Sequence, residues 1–169
     1  MYKRWMSVAA VLAGMVSAFL VLGCEDSDLP AATDTTDVDG SADDVYASGR
    51  NTINVNGEFD FDNGHGGTSA VPAVAVADMW WEYVTDPSSL LAPQNGAQFA
   101  VMAGVTNFTG VTLEQVSVQT VSGAAIPGGQ LPAGTIVAYT TDAGRHGKLR
   151  VDSYSSEHDM TVTWQTWVE

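Results

Sequence analysis

The chain has one cysteine, and its position takes it out of the fold. Lys3 and Arg4 open the sequence, no charged side chain occurs from Trp5 to Gly23, and Cys24 follows directly. A basic start, an apolar run and a small residue before a cut point are the layout of a secretory signal. The run is about long enough to span a bilayer. It nevertheless stops at Gly23-Cys24 and passes straight into acidic sequence, which argues against a retained anchor helix. No second thiol exists for a disulfide or a zinc site. An exported domain without disulfides must be held together by burial alone.

Val21-Leu22-Gly23-Cys24 resembles the lipobox of bacterial lipoproteins. The resemblance implies a signal peptide over 1–23 and cleavage before Cys24, with the cysteine then carrying lipid such as palmitate. The implied partner is a lipid bilayer. The implied location is an exported, membrane-anchored one on the outer-membrane, periplasmic or cell-surface side of a bacterium.

Two of the six basic residues precede Cys24 and all 20 acidic ones follow it, so the net charge of −14 becomes −16 after cleavage. Such a surface repels phosphate backbones and excludes nucleic acid as a partner. It also leaves membrane attachment to acyl chains rather than to a basic patch.

After the cysteine the chain divides once. Residues 24–47 contain eight acidic side chains from Glu25 to Asp44 and no basic one. With mostly alanine for apolar content, this stretch reads as a disordered tether. Asp37-Val38-Asp39-Gly40 invites a calcium reading. On an EF-hand loop, however, Thr35 and Tyr46 would fall at the first and twelfth places, where carboxylates are required.

Residues 48–169 form one domain of about 120 residues. Short alternating runs separated by Gly, Pro and Asn predict an all-β fold, an antiparallel sandwich or barrel of about 7–9 short strands. Strands are expected at Thr52–Val55, Glu58–Asp62, Asp78–Thr85, Ala97–Val105, Thr112–Val121, Thr135–Thr140, Lys148–Tyr154 and Met160–Val168. Leu113 and Val116 leave a short helix open for the fifth. Asn56-Gly57 signals a hairpin joining the first two runs. Because Val55 and Phe59 share a face only across an odd-length loop, a three-residue turn or bulge is expected there.

Three groups are candidate sites. Asp60, Asp62, Asn63 and His65, with Asp78, are oxygen-rich and suit calcium, while the histidine adds a transition-metal option. Alternation puts Trp81 and Tyr83 on one face of their strand and Trp80 on the other; likewise Trp164 faces the core and Trp167 the opposite side. Trp80 and Trp167 are thus the candidates for an exposed surface that stacks on sugars or flat cofactors. Arg145, Lys148 and Arg150 form a basic patch that suits an anionic ligand or cross-strand pairs with carboxylates. No nucleophile elbow, HExxH, phosphate loop or Rossmann glycine pattern occurs, so a binding or surface-structural module is expected rather than an enzyme.

Gly134–Thr141, then Gly144-Arg145-His146-Gly147-Lys148-Leu149-Arg150-Val151 and Ser153-Tyr154, resemble the end of HmuY-like lipoproteins. Phe59–Gly64 before Asp78–Trp81 is similar to that family's early strands. The resemblance implies an exported, lipid-anchored, all-β protein and, as an alternative function, binding of haem or a metal. Gly147 stands where the family has alanine, and the haem-ligand positions do not match, so haem binding is not carried over.

Overall fold

A computed structural model describes residues 44–68, 76–85 and 88–168. The signal peptide, Cys24 and the expected tether up to 43 lie outside the described residues. Ten strands form two antiparallel five-stranded sheets, a sandwich rather than a barrel. One sheet has the order β1 (Val45–Ile53), β10 (Met160–Trp167), β9 (His146–Tyr154), β8 (Ile136–Thr140), β6 (Gln98–Val101). The other runs β3 (His65–Thr68), β2 (Gly57–Asp60), β4 (Met79–Glu82), β5 (Leu90–Pro93), β7 (Ile126–Pro127). β1 starts three residues before Ser48, inside the expected tether, with Val45 opposite Trp167.

Asn56-Gly57 does form a turn, with Gly57 N donating to Asn54 O at 2.9 Å and Asn56 at φ 56°. It does not make the expected hairpin, because β1 pairs with β10 while β2 pairs with β3 and β4. The turn instead carries the chain from one sheet to the other. The hairpin lies one strand later, where Phe61–Gly64 joins β2 to β3.

Between the sheets Phe59, Phe61, Trp81, Phe99, Tyr139 and Trp164 build an aromatic core. Phe61 stacks on Tyr139 at 4.3 Å and meets Trp164 edge-on at 5.9 Å, the two favoured aromatic arrangements. Thr166 donates to Phe61 O at 2.8 Å and so accepts from the buried Tyr139 hydroxyl, also at 2.8 Å. Burial of this polar pair is thereby compensated. The Tyr139 ring also explains Gly147, since a Cβ there would overlap that ring.

Residues 112–121 are not a strand. Thr112 and Gln115 form a reciprocal capping box that starts α1 (Leu113–Ser117). This helix and the preceding turn lie over the outer face of the β10 sheet. Met102, Phe108, Val111 and Val116 there cover Ile136, Ala138 and Trp167 in a second core.

Candidate functional site

Two places in the sandwich bring polar or aromatic side chains together, at opposite ends of β4 and β9. At the first end, Asp60, Asp62 and Asp78 are all buried, and an oxygen of each lies within 4.8 Å of the others. The β2–β3 turn accounts for Asp60: its Oδ1 accepts from Asp62 N at 2.8 Å and Asn63 N at 3.1 Å, and its Oδ2 from Asn63 Nδ2 at 2.7 Å. Asp78 links the sheets. Its Oδ2 accepts from Phe61 N and its Oδ1 from Asp142 N in the β8–β9 turn, both at 2.7 Å. Asp62 Oδ2 meets Arg145 at 3.3 Å, whereas Oδ1 is buried with no hydrogen-bond partner among the described residues. Thr141 lies against this carboxylate and eases its charge, but no hydrogen bond of acceptable geometry reaches Oδ1.

Burial pushes the Asp62 carboxyl up against the pull of Thr141 and Arg145. Burial likewise drives Asp78 up to about 7, although two backbone N–H groups favour its charged form. Of the other two expected members, Asn63 donates its side-chain amide to Asp60, and His65 is exposed on β3 and outside the trio.

The expected basic patch does not act as one group: each cation has its own polar partners, although Lys148 and Arg150 both lie over the Phe108 ring. Arg145 serves Asp62 and lies 4.0 Å over the Tyr46 ring. Arg150 donates to Asp152, which also accepts from Arg50 and Thr163. Lys148 is 2% exposed and directs its ammonium at backbone carbonyls. Its Nζ donates to Phe108 O at 2.8 Å and Val111 O at 2.7 Å, beneath the Phe108 and Trp167 rings. Desolvation lowers its pKa. Lys148 alternates with the core residue Leu149 and so lies on the outer face, which the α1 layer covers.

The same layer removes Trp167 from any ligand surface: it is 3% exposed. Trp80 is half-buried on β4, on the side of its sheet away from the core. The two tryptophans therefore belong to different outer faces and form no joint platform.

A different aromatic group forms a cleft. At the far end of β4 a cavity of about 400 Å³ opens between the sheets, within the size range of small-molecule sites. Trp81 of β4 and Tyr83 just beyond it line the cavity from one sheet, and Tyr154 at the end of β9 and His158 in the β9–β10 turn line it from the other. Tyr83 and His158 stack at 3.7 Å with 11° between planes, and Trp81 packs on Tyr154 at 5.6 Å. Trp81 Nε1 donates to His158 O at 2.8 Å, tying one sheet to the turn of the other. Tyr154 donates its hydroxyl to Leu131 O at 2.7 Å, and burial pushes its pKa up to about 12.

Ser89 and the Gly128-Gly129 turn line the cavity beside these rings. Gly128 packs so closely on Ser89 that a Cβ would overlap the hydroxyl, whereas a Cβ at Gly129 meets nothing within 4 Å. Among the described residues no Asp, Glu, Lys or Arg lines the cleft. His158 sits at φ 67°, sparsely populated for a residue with a side chain, inside a turn whose Ser155 hydroxyl accepts from Glu157 N and Asp159 N. Sequence reasoning paired Trp81 with Tyr83 but missed Ser89, Tyr154 and His158.

Comparisons with family models, curated proteins and solved structures find no match for this chain.

Proposed function

We propose that the chain is an exported bacterial lipoprotein, anchored through acylated Cys24, whose β-sandwich binds a neutral sugar ring in the aromatic cleft. The observation that carries the binding reading is an uncharged, aromatic-walled cavity on a mature chain of net charge −16. The surrounding charge repels anionic ligands. Stacked Tyr83 and His158 offer a flat wall for the C–H face of a sugar, while the Ser89 hydroxyl and the His158 ring supply polar contacts for its hydroxyls. The role is binding rather than catalysis. Anchoring is supported by the lipobox resemblance at Val21–Cys24.

Titration of the full chain in detergent with neutral oligosaccharides, uronic-acid oligosaccharides and hemin tests the binding reading. Saturable binding of neutral sugars is expected, at least tenfold weaker in Gly129→Phe, whose new ring enters open space. No binding across the panel would overturn the reading, and a Soret shift with hemin would put the HmuY-like alternative in its place. For the anchor, Cys24→Ala should block processing and abolish labelling by a fatty-acid analogue. Normal processing of that variant would refute acylation.

A further inference from the structure

The aspartate end carries a site independent of the cleft. Three buried carboxylates there face one guanidinium, with the half-buried Asp142 acting on Asp78 as well, so the trio alone is left with two uncompensated negative charges when all three are ionised. Uncompensated charge away from water is expensive and is normally neutralised by a partner or a metal. Lone pairs remain available. An ionised carboxylate has about four acceptor sites; Asp78 uses one on each oxygen, and nine-tenths-buried Asp62 uses none on Oδ1. All donors are oxygen, with His65 exposed and outside the group, which selects a hard cation over a transition metal. We infer that Asp60, Asp62 and Asp78 bind one calcium ion, which completes the junction between the β2–β3 turn, β4 and the β8–β9 turn. A doubly charged ion balances the trio and Arg145, and water supplies the remaining calcium ligands. Because Asp78 already joins Phe61 to Asp142 across the sheets, bound calcium stabilises the sandwich itself.

The test melts the full chain in EDTA, in millimolar CaCl2 and in millimolar MgCl2, alongside Asp62→Asn. Calcium at a large excess over its Kd should raise Tm by about 5 °C or more. Terbium should luminesce on tryptophan excitation, since Trp164 abuts the Gly64 turn. Asp62→Asn keeps the side chain's shape and should melt cooperatively, with the calcium shift and terbium signal both lost. Should that variant not fold, equilibrium dialysis of the unmodified chain must still find one saturable calcium. Identical melts in CaCl2 and EDTA without saturable calcium would overturn the site. So would binding that survives Asp62→Asn, which would belong to the acidic residues of 24–47. An equal rise with magnesium would overturn the choice of calcium. Sugar binding in the cleft should not respond to calcium, so failure of either site leaves the other standing.

Discussion

At the Asp78 end of β4 the polar groups are turned inward and tied to backbone; at the Tyr83 end, five residues on and about 17 Å away, the rings stand around open space. The first end joins the sheets through Asp78, Phe61, Tyr139 and Thr166. The second joins them through the Trp81–His158 hydrogen bond and leaves a cavity beside it. A disulfide-free sandwich cannot leave both ends open, because burial is its source of stability. The closed end lets the open end give up packing around the cavity. Substitutions at the closed end should therefore reduce stability, and those at the open end should reduce binding.

Trp164→Ala should have the largest effect, costing about 3–5 kcal/mol, because the ring fills the core between Phe59 and Phe61 and supports the Gly64 turn. Trp167→Ala should cost nearly as much, since the α1 layer buries it too. Denaturant melts of both check this, and a negligible loss for Trp167→Ala would mean that the second layer does not stay packed. Asp78→Ala should come next, at about 2–4 kcal/mol, by leaving Phe61 N and Asp142 N without their acceptor. A smaller loss there than for Tyr83→Ala would reverse the contrast between the ends.

The strands were legible where alternation is local. Met160, Val162 and Trp164 do share the inner face of β10, and Trp81 and Tyr83 do share a side of β4. What failed was information carried by distant partners. Asn56-Gly57 has the chemistry of a hairpin turn, but pairing is decided by β10, more than a hundred residues on. Trp167 does lie on the face opposite Trp164, yet nothing near it or Lys148 in sequence announces that residues 102–118 will cover that face. Three of the five candidate metal-site residues converge because Asp78 caps the β2–β3 turn; Asn63 turns its amide to Asp60 and His65 is exposed on β3. The cleft was half legible, since it also needs Tyr154 at the end of β9 and His158 in the β9–β10 turn, both far from Trp81 in sequence.

Between the ends, Asp152 gathers Arg50, Arg150 and Thr163 from three adjacent strands. Burial pushes its carboxyl up, but these bonds outweigh that and hold it below the ordinary 3.8. Its contribution is thus present above the unfolded pKa and is lost as pH falls through the folded one. Asp152→Asn should cost about 1–2 kcal/mol at neutral pH, and its melts should converge with those of the parent chain well below 3.8. A difference that persists in acid would trace to packing rather than charge. Smallest of all, Gly129→Phe and Tyr83→Ala should each change stability by less than about 1 kcal/mol while weakening sugar binding. Loss of cooperative melting in both would mean that the open end also holds the fold.

Amide chemical-shift mapping of the mature chain shows whether the proposed sugar enters at the Tyr83 end. Addition of a neutral oligosaccharide that binds should move the signals of residues 81–83, 89, 128–129 and 154–158, and leave Phe61, Asp78 and Asp142 in place. Shifts centred on the aspartate end, or on Trp80 and the outer faces of the sheets, would contradict that placement.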